Sequence, residues 1–291
     1  MTIWNLGSIN ADFVYSVPHI PAPGETLAST DRQVFLGGKG TNMSVAAARA
    51  GTHVRHIGAV GADGRWAIDR LLEYGVDTRS IAEVAHETAQ AIIAVDSSGE
   101  NSIILFQGAN VQIPLDALQS ALAEAAVGDW FVCQNETNLQ AEGVRMAREL
   151  GLKVAYAAAP FDADAVEALI EYLDFLILNE IEMGQLRASL GKEPKDLGID
   201  TVIVTKGGYG ADLYSSSNDW EPTSFEAIPV SPIDTTGAGD TFTGYVLAGL
   251  DRGLPLDQSI HLATKAGALM VTRQGTADVI PDLAEVRDFR P

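Results

Sequence analysis

An α/β fold is predicted for this 291-residue chain: a three-layer sandwich with a mostly parallel central sheet, helices on both faces and a small β-sheet lid. Three features carry that expectation. Short apolar runs alternate with helix-length amphipathic stretches from residue 53 onward, the pattern of parallel strands joined by helices. Two pairs of extended runs interrupt it, one before the first helix and one between residues 89 and 106. No linker, low-complexity tract or internal repeat divides the chain, so residues 1–291 are expected to form a single domain, with lid strands from about 12–36 and 88–107.

Taken in order, Ile3 to Ile9 reads as a strand ending in a polar turn with Asn10 and Asp12, at a carboxyl end where open α/β sheets place ligands. Phe13–Val17 and Leu27–Phe35 read as extended, separated by Pro18, Pro21 and Pro23. After the run Gly37-Gly38-Lys39-Gly40-Thr41-Asn42, Met43–Ala50 is an Ala-rich helix suited to close packing. A strand at 53–60 and a helix at 66–74 follow. Ala89–Val95 and Ser102–Phe106 flank the turn Asp96-Ser97-Ser98-Gly99 as a hairpin. The alternation then resumes: helix 115–126, strand 129–133, helix 140–150, strand 154–158, helix 163–172, strand 175–178 and a helix after Asn179. Strands at 201–205 and 211–215, an extended stretch at 220–230 and helices near 240–252 and 257–271 complete the chain.

Composition limits the function classes. Hydrophobic residues at 46% allow a large core, and a net charge of −20 argues against nonspecific binding to nucleic acid or anionic membrane. One cysteine, Cys133 in an apolar run, excludes an intrachain disulfide and a cysteine metal cluster. The N-terminus has no signal-peptide pattern and no apolar run reaches membrane-span length, so a cytoplasmic protein is expected. The five histidines show no metal-ligand spacing and read as structural or surface residues.

The stretch Asp234-Thr235-Thr236-Gly237-Ala238-Gly239-Asp240-Thr241-Phe242 is a small-residue turn feeding a helix. Helix N-termini present backbone N–H groups and favour negative charge, so this turn suits a phosphoryl group beside a carboxylate. Asp240 reads equally well as a first-turn cap or as a proton acceptor. Polar groups also end several strands: Asn10 and Asp12, Gln134 to Glu136, Asn179 to Glu182, and Thr205 to Gly208. Asn179 and Glu182 have the spacing of a capping box, which by itself is the better reading of that pair. The run at 37–42 misses the P-loop pattern, and neither it nor Gly58–Gly61 matches a dinucleotide fingerprint.

Together these motifs resemble the ribokinase-like carbohydrate kinases, the PfkB family. Gly37–Asn42 looks like the family's N-terminal signature, Asp234–Phe242 its C-terminal one, and Asn179–Glu182 lies between them in order and spacing. The resemblance covers nearly the whole chain. It implies ATP-dependent phosphorylation of a free sugar at its primary hydroxyl, D-ribose first, with Mg²⁺ and K⁺ as candidate ions. By position, Asn10, Asp12, Gly38, Lys39, Asn42 and Glu136 would hold the sugar, and Asp240 would be the base. Gly237, Ala238 and Gly239 would form the anion hole. Asn179, Thr205, Gly207, Gly239 and Thr264 would lie along ATP, with Glu182 and Asn179 organising Mg²⁺ through water. Asp234, Thr236, Arg273 and Gly275 would belong to a monovalent-cation loop. A homodimer through the lid is implied as well.

The chain departs from the family pattern at Val279, where a serine hydroxyl often serves the cation, and at Thr264, where Asn or His often flanks the adenine. The run Gln134-Asn135-Glu136-Thr137-Asn138 is unusually polar for the sugar side. Alternative substrates are a ketose, a keto-deoxy sugar acid or a nucleoside. A non-catalytic sugar-binding protein and a dehydrogenase are the alternatives of other classes.

Overall fold

Strict alternation of apolar side chains along the strands gives the main sheet two buried faces. Ile3, Trp130 and Val132 enter one core, and the intervening Trp4, Phe131 and Cys133 enter the other. The computed structural model describes residues 1–290.

The main sheet has nine strands in the order β13-β12-β11-β10-β9-β8-β1-β4-β5. They are β1 (Thr2–Leu6), β4 (His53–Val60), β5 (Asp77–Glu83), β8 (Trp130–Cys133), β9 (Lys153–Ala157), β10 (Phe175–Asn179), β11 (Thr201–Thr205), β12 (Ala211–Ser215) and β13 (Thr223–Phe225). From β11 to β5 every pairing is parallel, and β12 and β13 add an antiparallel edge. Helices α1 (Lys39–Arg49), α2 (Arg65–Glu73), α7 (Ala238–Asp251), α8 (Leu256–Met270) and α9 (Leu283–Asp288) pack on one face. Helices α3 (Leu115–Leu122), α4 (Gln140–Glu149), α5 (Ala163–Leu169) and α6 (Glu180–Leu190) cover the other. The expected sandwich is therefore observed.

Chain order reverses beside β1: β4 and β5 lie to one side, and β8 to β11 to the other. Ligands of open α/β sheets bind outside the strand carboxyl ends at such a switch point. The segments leaving β1 and β8 meet there, where the Ser8 hydroxyl donates to Glu136 Oε2.

A second sheet has four strands in the order β3-β2-β6-β7: β2 (Asn10–Ser16), β3 (Asp31–Gly37), β6 (Ala89–Val95) and β7 (Asn101–Phe106). Its strands fall in the spans expected to be extended, with one correction. Asn10 and Asp12 do not end β1; they begin β2 in this smaller sheet. Gly7-Ser8-Ile9 breaks the strand there, although buried Ile9 carries the apolar pattern on through the break. Three further differences concern the main sheet and the C-terminus. Strand β5 was not anticipated from the sequence, the extended stretch at 220–230 shrinks to β13, and the short helix α9 was missed.

Candidate active site

The glycine turn at 37–40 sits on β1's exit at backbone contact distance. A Cβ on Gly40 would lie 2.3 Å from Gly7 Cα and 2.4 Å from Ser8 N, so only glycine fits. This close approach puts the N-terminus of α1 beside Ser8 and Glu136. Gly40 N–H donates to Ser8 Oγ at 3.2 Å, and Lys39 N–H donates to Glu136 Oε2 at 3.1 Å. Ser8 fell unremarked within the stretch read as strand at Ile3 to Ile9, yet it joins the glycine run to Glu136. Its signal was weak, because a lone serine after a strand is ordinary turn chemistry.

The N-terminus of α7 comes in from the opposite side. Gly237 caps it with φ 76°, a left-handed conformation. A Cβ there would approach Asn42 Nδ2 to 3.1 Å, so the turn lies against α1. Ala238, Gly239 and Asp240 form the first helical turn. Asn42 Nδ2 donates to Asp240 Oδ2 at 2.9 Å across 198 residues of sequence. Asp240 is 8% exposed, and that burial raises its carboxyl above the ordinary range. The Lys39 charge and the Asn42 bond pull the other way. Asp240, ahead of Glu136 and Glu182, in turn lifts the Lys39 ammonium above its usual value. Lys39, Glu136, Glu182 and Asp240 therefore share one electrostatic neighbourhood.

Several oxygens in this region are buried without partners, Asp12 Oδ1 and Asn42 Oδ1 together with Gln134 Oε1 and Thr137 Oγ1 beside Glu136. A buried acceptor left unpaired costs about 1–3 kcal/mol, which a ligand hydroxyl can recover. Burial, reinforced by the Glu136 charge, pushes the Asp12 carboxyl up to about 7. Asn10 Oδ1 accepts from Asn110 Nδ2 at 2.8 Å, and Asn110 Oδ1 accepts from Ile9 N–H at 2.9 Å. Asn110, unremarked in the sequence, thus orients Asn10. A cavity opens beside them, lined by Asn10, Leu105, Gln107, Asn110, Asn135 and Glu136, with Pro160 closing it. Asn135 is held in place, accepting from the Tyr156 hydroxyl and donating to Pro160 O at 2.9 Å.

The capping box expected at Asn179 and Glu182 is present. Asn179 Oδ1 accepts from Glu182 N–H at 2.8 Å, and Glu182 Oε2 accepts from Asn179 N–H at 2.7 Å. The box does not exclude a second role, because Glu182 is also close enough to feel Lys39 and Asp240. Its carboxyl is raised, chiefly by burial. Thr205 pairs in register with Asn179, so both stand at one edge, with Gly207 just beyond. Thr264 lies apart on α8. Its hydroxyl donates to Ile260 O at 2.9 Å, and among the described residues no hydrogen bond ties it to the rest.

The loop proposed for a cation does assemble. Asp234 Oδ1 accepts from Thr236 N–H at 2.9 Å, and Oδ2 accepts from Gly275 N–H at 3.2 Å. Arg273 Nη1 donates to Val279 O at 3.3 Å, and Nη2 to Glu285 Oε1 at 2.6 Å. This set does not fit a monovalent cation well. Both Asp234 oxygens already take N–H groups, a guanidinium engages the Val279 carbonyl, and the Val279 side chain supplies no oxygen. Among the described residues no three carboxylate, histidine or cysteine side chains converge on a metal position. A divalent ion here would depend on phosphate and water oxygens, and the half-buried Glu182 carboxylate fits that arrangement.

Comparison with known proteins gives the family and the fold. The model of the "pfkB family carbohydrate kinase" family matches residues 3–283. A ribokinase of Haemophilus influenzae is 35% identical over 305 aligned residues, covering 99% of this chain and 98% of its own. Among solved structures, a ribokinase from Cryptococcus neoformans in complex with ADP superposes with a TM-score of 0.84 at 31% identity, covering 99% of this chain and 98% of the other. An Arabidopsis thaliana ribokinase complexed with ribose and ATP gives a TM-score of 0.84 at 25% identity over the same shares.

Proposed function

The chain belongs to the pfkB family of carbohydrate kinases, and from that premise we propose that it transfers the γ-phosphoryl group of ATP to the primary hydroxyl of D-ribose, giving ribose 5-phosphate. The observation that carries this reading is the buried Asp240 carboxylate, bonded to Asn42, whose own Oδ1 is orphaned, as is Asp12 Oδ1. A sugar supplies the hydroxyl donors that those oxygens lack.

In this reading Asp12, Asn42, Glu136 and Asn10 accept from the sugar's hydroxyls, while Gly38 and Lys39 line its path. Asp240 takes the proton of the attacking hydroxyl, its raised carboxyl being better matched to that task than an ordinary aspartate. The Gly237–Ala238–Gly239 turn presents backbone N–H groups to the transferring phosphoryl group. Lys39 adds positive charge beside it. Asn179, Thr205, Gly207 and Thr264 lie along the nucleotide, and Glu182 with Asn179 would hold Mg²⁺ through water. When bound, that ion neutralises charge on the β- and γ-phosphate oxygens. Phosphoryl transfer needs positioning and charge stabilisation above all, and this arrangement supplies both.

The small sheet serves as a lid within a single domain of residues 1–291, excluding water from the sugar. Its outer strand β7 exposes Ile103, Ile104, Leu105 and Phe106 together. An unpaired apolar edge of this kind calls for a partner, and a second copy of the chain meeting it at the lid is the reading we adopt. Among the described residues no helix is long and apolar enough to cross a membrane, and the supply of ATP supports action in the cytoplasm.

The test is a panel of ribose, ketoses, sugar acids and nucleosides with ATP, run in K⁺ and in Na⁺. Ribose is expected to have the highest kcat/KM. No phosphorylation of any acceptor would reject the kinase reading, and a nucleoside preference would reject ribose. Given the loop at Asp234 and Val279, exchanging K⁺ for Na⁺ is expected to change turnover by less than about threefold.

Titration of Asp12 gives a second prediction. Its carboxyl, raised to about 7, must be ionised to accept two hydroxyls, so protons compete with sugar. Affinity is expected to be full from about a unit above pH 7, about halved at 7, and to fall by up to about tenfold per unit below it. Calorimetric titration of ribose without nucleotide, across that pH range, reads the effect directly. A flat profile would remove Asp12 from the sugar site.

A further inference from the structure

Beneath the glycine turn runs a chain of buried polar side chains to which nothing above assigns a role. Asn5 on β1, Ser44 on α1, His56 on β4 and Gln134 after β8 are each at most 1% exposed. Gln134 Nε2 donates to Asn5 Oδ1 at 2.9 Å. Asn5 Nδ2 donates twice, to Gly40 O and to Ser44 Oγ, both at 2.8 Å. Ser44 Oγ lies 2.8 Å from His56 Nδ1, and His56 Nε2 lies 3.0 Å from Gly7 O.

The proton positions follow from the ends of the chain. The Gly7 carbonyl can only accept, so His56 carries its proton on Nε2 and Nδ1 must accept from the Ser44 hydroxyl. Ser44 Oγ then accepts from Asn5, whose amide orientation is fixed by the Gly40 carbonyl. Burial holds His56 down at about 4, so the ring stays neutral and the order of donors does not change near neutral pH. The relay ends on Gly7 and Gly40, the two residues whose backbones touch.

We propose that Asn5, Ser44, His56 and Gln134 are positioning residues for the sugar site: their relay locks the Gly38–Asn42 turn onto Gly7 and Ser8, and so sets where Lys39, Asn42 and Glu136 stand before substrate arrives. The proposal rests on the sugar-site reading above. Each link is a buried, charge-free hydrogen bond whose partner would be stranded if the link were cut. Ordinary core polar groups hold elements together without regard to ligand. These four end on the two backbone segments that carry the Ser8 and Lys39 contacts to Glu136.

Ser44→Ala severs the relay in the middle of an already Ala-rich helix. The expected result is a rise of about tenfold in ribose KM with ATP KM within about twofold of the parent, and a smaller loss in kcat through Asn42 and Lys39, which meet Asp240. Amide hydrogen exchange across residues 37–45 is expected to quicken by a similar factor without any ligand. Gln134→Met, which keeps length but removes the donor to Asn5, is expected to act in the same direction and serves should Ser44→Ala fail to fold. Unchanged ribose KM with a lower melting temperature would overturn the proposal, and so would equal rises in both KM values. If the parent does not phosphorylate ribose, it is the functional reading that has failed. The exchange measurement then decides the relay, and unaltered exchange at 37–45 in both variants would overturn it.

Discussion

Asp240→Asn is expected to lower kcat by about 10²–10⁴-fold while ribose binding survives. The substitution is nearly isosteric, and the asparagine oxygen can still accept from Asn42 Nδ2, the 2.9 Å bond that ties α7 to α1. What disappears is the ability to take a proton. Asp240 stands in a buried position where desolvation raises its carboxyl, with the Lys39 charge and the Asn42 bond opposing that rise. Removing the negative charge also releases Lys39 from its strongest partner, so the loss belongs to the pair. Turnover of each variant with saturating ribose and ATP, beside calorimetric binding of ribose, separates the two effects. Near-normal turnover would withdraw the assignment of Asp240 as base. Loss of ribose binding in proportion to turnover would move Asp240 from proton acceptor to sugar ligand.

How far the sequence spoke for this site depends on what kind of signal each residue leaves. The turn at 234–242 was legible because glycines and a following apolar helix are local patterns, and α7 begins where they indicate. The core strands were legible for the same reason: a short continuous apolar run such as Trp130–Cys133, buried on both faces, is written directly in the residues. Strand β5 was missed because Asp77-Thr78-Arg79-Ser80-Ile81-Ala82-Glu83 sits at a sheet edge, where half-buried polar residues carry no period. Asn10 and Asp12 were singled out but assigned to the wrong sheet, since a three-residue break containing buried Ile9 leaves no change in hydrophobic pattern. The relay was invisible altogether. His56 and Asn5 are polar residues within apolar strands, and their partners are 12 and 39 residues away, so only the fold reveals that they satisfy one another. Pairings of that kind are tertiary facts. Glu136, by contrast, could be named from position, but its anchor Ser8 could not.

Gly40 is where local propensity and tertiary contact give opposite forecasts. Gly40 lies in the first turn of α1, and replacing a helical glycine by alanine ordinarily stabilises by up to about 1 kcal/mol. Here the added Cβ would meet Gly7 Cα at 2.3 Å, Ser8 N at 2.4 Å and Gly7 C at 2.5 Å, all of them backbone atoms. Backbone cannot rotate away as a side-chain tip can, so α1 and the β1–β2 turn must separate. That separation strains the Gly40 N–H bond to Ser8 Oγ, the Asn5 bond to Gly40 O and the Lys39 N–H bond to Glu136. Overpacking of this kind costs about 1–3 kcal/mol, which exceeds the helix gain. Gly40→Ala is therefore expected to lower the melting temperature and to raise ribose KM by about 10- to 100-fold, with a much smaller change in ATP KM. Thermal unfolding and steady-state kinetics on the same preparation check both halves. A higher melting temperature with unchanged ribose KM would mean that helix propensity governs the position, and that the contact between Gly7 and Gly40 does not set the sugar site.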